Sequence, residues 1–133
     1  MLHDLQAKYA GKPVTFLLFP CNEFMFQEPH ANSVIKTFAE KYVNLTSSMM
    51  LFAKSDVNKD CEDSSADTCM PSSSKCCSRN NGIYEFLRMK SGKKCSWNFN
   101  KFFITKDGEF SAGPLGDNAY ADKVVPYIDE LLK

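Results

Sequence analysis

The side chains of this 133-residue sequence best equipped for chemistry are its six thiols, Cys21, Cys61, Cys69, Cys76, Cys77 and Cys95. A cysteine attacks, exchanges or ligates as the thiolate, so what each can do depends on surroundings that ionise it. Four of them fall in one polar stretch, where three chemistries stay open: local disulfides, free or exchanging thiols, and metal binding. The spacing lacks two clean C-x-x-C pairs, and His3 and His30 stand elsewhere in sequence with no partner pattern, so a zinc site is weakly supported. Cys21 follows an apolar run and reads as a quiet buried thiol. Cys95 lies two residues before Trp97 and reads as a packed or surface thiol, with a position that could approach a site there. Lys93 and Lys94 form a solvated charge pair that could also attract carboxylates.

The elements that must position these groups can be read from periodicity. Leu2, Leu5 and Tyr9 recur at helical spacing, with Gly11 where a C-cap would sit. Val14 to Phe19 is a nearly unbroken apolar run ended by Pro20, which predicts a strand buried on both faces. After a polar loop, Asn32-Ser33 are candidate caps for a helix whose apolar stripe is Val34, Ile35, Phe38, Ala39, Tyr42 and Val43. Met49 to Ala53 reads as a short strand. From about 59 to 82 the sequence turns to Ser, Asp, Asn and Cys, a surface insertion. Ile83, Tyr84, Phe86 and Leu87 open a helix that stops near Ser91-Gly92. Trp97 to Ile104 reads as a strand, Lys106-Asp107-Gly108-Glu109 as a tight hairpin turn, and Glu109 to Ser111 as the start of the return strand. Val124, Val125, Ile128, Leu131 and Leu132 form a last amphipathic helix, with Pro126 expected in its first turn, where a missing amide costs little.

This order predicts a single α/β domain over 1–133, with a layered mixed sheet flanked by helices. An apolar fraction of 44% suffices for one core, and the 16 basic and 16 acidic residues cancel. That balance argues against nucleic acid or an anionic membrane as main partner, since both need a basic face. No apolar run reaches membrane-spanning length, and no charged-then-apolar signal segment opens the sequence. The compartment stays open, with the cytoplasm slightly preferred. Asn44-Leu45-Thr46 is a glycosylation sequon of a kind common by chance.

Two segments are more specific. Phe19-Pro20-Cys21-Asn22-Glu23-Phe24, followed by Gln27-Glu28-Pro29, resembles the FPCNQF…QEP signature of glutathione peroxidases. Trp97-Asn98-Phe99 with Lys101-Phe102 resembles the same family's WNF-x-KF signature. Between them, Phe52 to Asn58 is similar to its F-x-K-x-DVN segment and Ile83 to Leu87 to its Y-x-FL helix. Asp107-Gly108 and the Ile128 to Leu132 tail follow in the family's order. The resemblance implies a thioredoxin-like fold. It also implies reduction of hydrogen peroxide, organic or lipid hydroperoxides, with glutathione or thioredoxin as thiol partner and no bound cofactor or metal. The family's reactive cysteine or selenocysteine belongs to an NVAS-x-C/U-G motif opening the helix that corresponds to Leu2 to Tyr9. That motif does not occur here, so a partial member lacking its first strand is expected.

By the same resemblance the site residues are Trp97, Asn98 and Glu23. An indole N–H only donates and a carboxamide offers two N–H donors, so Trp97 and Asn98 suit a sulfur or selenium anion. Strand neighbours point to opposite faces, however. The two can share a site only if the strand has not begun, if it bulges, or if Asn98 acts through its backbone. Glu23 stands where the family places glutamine. An ionised carboxylate donates no hydrogen bond and raises the pKa of a nearby thiol, so a loop carboxylate without a catalytic role is an equal reading. The resolving cysteine that thioredoxin-dependent members carry in a Phe-Cys pair is absent at Phe38-Ala39, although a cysteine of the insertion could replace it. The rival expectation is a thioredoxin-like scaffold that binds partners or responds to redox state without catalysis; a metal-binding module built on the insertion is a third.

Overall fold

The structure is a computed structural model that describes residues 1–25, 27–58 and 81–133. Cys61, Cys69, Cys76 and Cys77 lie outside the described residues, as does nearly all of the expected insertion.

Helix α1 (Leu2–Lys8) carries Asp4 in its first turn and Lys8 in its last, each opposite in sign to the helix end it faces. It buries Leu5 and, just past its end, Tyr9. Strand β1 (Phe16–Leu18) follows, then helix α2 (Asn32–Ala39) and strand β2 (Met49–Leu51). β1 and β2 pair in parallel, with Phe16 opposite Met49 and Leu18 opposite Leu51, so α2 lies within the crossover that a parallel pair requires. Helix α3 (Asn81–Ser91) leads to strands β3 (Lys101–Ile104) and β4 (Phe110–Leu115), which pair antiparallel, and helix α4 (Ala121–Leu131) closes the order. The class is α/β. Among the described residues the parallel and antiparallel pairings form two two-stranded sheets.

Several local expectations are revised. Burial of β1 on both faces fails: Leu17 is 48% exposed and its partner Met50 42%, while Met49 is fully buried. The pleat sends Leu17 and Met50 to one face, and a strand is buried twice over only where both faces are covered. α2 ends at Ala39, so Val43 reaches the core from the following turn, whereas Phe38 and Tyr42 stay exposed and pair ring to ring at 5.1 Å. Asn32 does not cap α2; its Oδ1 accepts the Lys54 amide at 2.8 Å, and Ala31 takes the N-cap position without a side-chain bond. α4 begins at Ala121, which puts Pro126 in the helix interior, past the first turn. A proline there removes one intrahelical donor.

Two apolar clusters hold the elements together. Leu5, Tyr9, Phe103, Val124 and Ile128 join α1, β3 and α4. Val57, Tyr84, Leu87 and Cys95 join the segment after β2, α3 and the approach to β3, with Phe19, Cys21, Phe24, Phe102 and Phe110 packed against them. The hairpin turn forms as read: Thr105 N–H donates to Glu109 O at 2.8 Å, and Gly108 takes φ 83°.

Gly113 on β4 has φ 120°, and a Cβ there would lie 2.7 Å from Lys101 O and 2.9 Å from Phe102 Cα. These are backbone atoms that cannot swing aside, and the dihedral is one that L side chains avoid. Gly113→Ala is expected to cost about 2 kcal/mol by urea unfolding. A variant as stable as the parent would show that β4 is free to shift off β3.

Candidate functional site

Three connecting segments meet beyond the carboxyl ends of β1 and β2, the edge of a parallel pair where ligands commonly sit. They are 19–30 after β1, 52–58 after β2, and the turn 95–100 before β3. Ser55 N–H donates to Pro20 O at 3.0 Å, and Lys54 Nζ reaches Glu28 O at 3.0 Å and His30 O at 2.9 Å. The buried lysine thus ties the second segment to the far end of the first.

The Glu23 carboxylate joins the first two of these segments. Its Oε2 accepts the backbone N–H of Val57 at 2.7 Å and of Asn58 at 3.0 Å, and the Cys21 thiol donates to the same oxygen at 3.4 Å. Val57 O in turn accepts from Arg88 Nη1 of α3. The Asn58 side chain pairs with both backbone groups of Cys95: Nδ2 donates to its oxygen and Oδ1 accepts its N–H, each at 2.9 Å.

Trp97 and Asn98 precede the strand. β3 starts at Lys101, and residues 97–99 form a turn in which Phe99 takes φ 56°. That removes the strand-face objection to their sharing a site. The Trp97 ring lies 5.7 Å from the ring of Phe24, 37% exposed, and its carbonyl accepts from Asn100 Nδ2. Its indole N–H makes no hydrogen bond to the described residues. Asn98 Nδ2 donates to Gln27 Oε1 at 2.6 Å. The two signature segments therefore meet twice, Phe24 on Trp97 and Gln27 on Asn98. Glu23 is next in sequence to Phe24, yet among the described residues it makes no hydrogen bond to Trp97 or Asn98.

The sequence alone points to no role for Gln27, Asn58 or Arg88. Their partners are backbone groups or side chains tens of residues away, and such contacts leave no periodic trace.

The two described thiols are poor nucleophiles. Burial, reinforced by the Glu23 carboxylate and opposed by the Glu23 backbone N–H, pushes the Cys21 thiol well above its ordinary range. Burial, with Glu23 adding to it and Arg88 opposing, pushes Cys95 up to about 11. Tyr84, beside both, is also raised, mainly by burial. A raised pKa leaves less thiolate at neutral pH. Iodoacetamide at pH 7.5, followed by peptide mass mapping, is expected to modify Cys21 and Cys95 at least about 10-fold more slowly than free cysteine; labelling at the free-cysteine rate would show that both ionise readily. Among the described residues no group of three or more His, Cys, Asp or Glu could hold a metal ion, and no helix is long and apolar enough to cross a membrane.

Known proteins match the chain in sequence. Residues 1–66 match the family model described as glutathione peroxidase. The chain is 36% identical over 134 residues to the phospholipid hydroperoxide glutathione peroxidase of Macaca fuscata fuscata, an alignment covering 95% of this chain and 57% of that protein. It is 37% identical over 112 residues to the chloroplastic phospholipid hydroperoxide glutathione peroxidase 1 of Arabidopsis thaliana, covering 81% and 39%. It is 29% identical over 129 residues to the mitochondrial glutathione peroxidase 1 of Chlamydomonas reinhardtii, covering 91% and 55%. The chain thus spans between about two fifths and three fifths of the length of these relatives.

Proposed function

Because the chain belongs to the glutathione peroxidase family, we propose that it serves that family's reaction, the reduction of hydrogen peroxide or of organic and lipid hydroperoxides by a thiol reductant, glutathione or thioredoxin. In that reaction an ionised sulfur or selenium attacks the O–O bond and keeps one oxygen, and the alcohol or water leaves with a proton. Two reductant thiols then remove the bound oxygen as water and become a disulfide. The attacking residue of the NVAS-x-C/U-G motif is not among these 133 residues, and neither Cys21 nor Cys95 ionises readily enough to replace it.

The residues present supply the donor side of such a site. Trp97, on a turn and half-open, offers an indole N–H not taken by the described residues, and Asn98 offers its carboxamide. Both act by stabilising the chalcogen anion and the oxyanion that develops on the departing oxygen. Glu23 donates nothing; its carboxylate holds segments 19–30 and 52–58 together and so helps set where Phe24 lies against the indole. The observation that carries this reading is the meeting of the two signatures, Phe24 against Trp97 and Gln27 against Asn98.

The test is peroxide consumption by the whole gene product, with glutathione and with thioredoxin in separate assays. Trp97→Phe keeps the aromatic packing and removes the donor, and is expected to lower the peroxide-dependent rate about 100-fold. A Trp97→Phe protein as active as the parent would end the assignment.

A further inference from the structure

Trp97 owes its place to a closed circuit of contacts, and one residue of that circuit touches nothing that reacts. From Glu23, Oε2 accepts the Asn58 amide at 3.0 Å. From Asn58, the side chain grips the Cys95 peptide through both its N–H and its C=O at 2.9 Å. Cys95 is two residues from Trp97 along the chain, Trp97 packs on Phe24 at 5.7 Å, and Phe24 adjoins Glu23. We infer that Asn58 is the positioning residue of the Trp97 turn, its carboxamide standing in for the strand neighbour that the backbone at Cys95 does not have.

The chemistry of the grip singles out asparagine. A neighbouring strand offers one donor and one acceptor to the residue it faces, and a carboxamide carries the same pair on one planar group. Aspartate keeps the acceptor and loses the donor, and alanine loses both. Glutamine is one methylene longer and cannot reach the peptide in the same register. Asn58 is 8% exposed and Cys95 4%, so water is poorly placed to replace a missing partner. The grip is itself anchored on two further sides, because Glu23 holds the N–H groups of Val57 and Asn58 while Arg88 holds Val57 O. The turn is fastened again from its other end, where Asn100 Nδ2 donates to Trp97 O. The backbone of the turn is thus tied at both ends, and the ring packs on Phe24 although the residue is 37% exposed.

The catalytic consequence rests on the peroxidase reading above; the positioning does not. Trp97 is the only tryptophan of the chain, so intrinsic fluorescence reports this one side chain. Asn58→Ala and the isosteric Asn58→Asp are compared with the parent chain by emission maximum, acrylamide quenching and far-ultraviolet circular dichroism, and in the whole gene product by peroxide turnover. Asn58→Ala is expected to shift emission to longer wavelength and raise quenching with the secondary-structure signal unchanged. Asn58→Asp, which still accepts the Cys95 N–H, is expected to fall between. Where Asn58→Ala does not fold, Asn58→Asp decides. In the activity arm, the rate constant for peroxide falls at least about 10-fold in Asn58→Ala, while the step that consumes reductant is unchanged, because a displaced donor penalises only the step it serves. Folded variants with the parent's emission and quenching would overturn the inference. A whole gene product without peroxidase activity, combined with the expected fluorescence change in the chain, would reject the functional reading and leave the positioning role standing.

Discussion

Replacing Glu23 by leucine is expected to lower the stability of the folded chain by about 3 kcal/mol. Glu23 Oε2 is the acceptor for two backbone donors, the amides of Val57 and Asn58 at 2.7 and 3.0 Å. Both residues are buried, so neither amide finds water when the carboxylate is removed. Each orphaned donor costs about 1–3 kcal/mol. Part of that loss is offset, because the other carboxylate oxygen, Oε1, is itself buried without a hydrogen-bond partner among the described residues, and leucine removes it. Glu23→Gln separates the two effects. Its carboxamide keeps one acceptor oxygen for the two amides and should cost no more than about 1 kcal/mol. Urea unfolding of the three proteins provides the comparison, and amide hydrogen exchange at Val57 and Asn58 locates the effect. If leucine at this position left both unfolding and exchange at parental values, the carboxylate would have no part in joining the two segments.

The second large effect lies on the alkaline side. Cys95 has its thiol pushed up to about 11 from an ordinary 9.0, and Cys21 is shifted further in the same direction, in both cases chiefly by burial. Between pH 9 and 11 the folded chain therefore keeps protons that the unfolded chain has released. Stability that these thiols contribute is fully present below pH 9 and is lost as pH rises through the folded values. For Cys95 alone the loss is on the order of 2–3 kcal/mol. Tyr9 adds to it at higher pH, its hydroxyl raised to about 12 by burial and by donation to Asp129 Oδ1 at 2.8 Å. Lys54 and Lys101 run the other way: burial lowers both, so the unfolded chain binds more protons there and stability gains as pH rises. A variant resolves the balance. Cys95→Ala is expected to flatten the fall in urea midpoint between pH 8.5 and 10.5 relative to the parent. Parallel profiles for the two proteins would mean that the Cys95 thiol ionises equally well folded and unfolded.

How much of the site was legible depends on whether a residue's partner is local. Trp97, Asn98 and Glu23 could be picked out because each stands inside a run of matching residues, and Phe24 and Gln27 stand in the same runs. What those side chains touch could not be read. Glu23 invited a question about donation to a chalcogen anion, and the structure turns its carboxylate to the amides of Val57 and Asn58, thirty-odd residues along. Asn58 sits in a recognisable segment, yet nothing near it in sequence points to Cys95. The strand expected from Trp97 begins only at Lys101, since the aromatic residues that suggested extended backbone occupy a turn with Phe99 at positive φ. Pro126 lies deeper in its helix than the apolar stripe suggests, because the stripe marks a buried face and is silent on where the flanking turn starts.

Residue order alone established the alternation of helices and strands, the Gly108 turn, the two signature runs and with them the family. Each follows from interactions within a few positions of the chain, or from matching such stretches to relatives. Only the folded molecule decided which face of β1 is open, that Trp97 precedes its strand, and that Glu23, Asn58 and Arg88 fasten three loops into one support. Those outcomes turn on hydrogen bonds and ring contacts between residues far apart in the chain. Their energies depend on burial, a quantity that exists once the elements have packed.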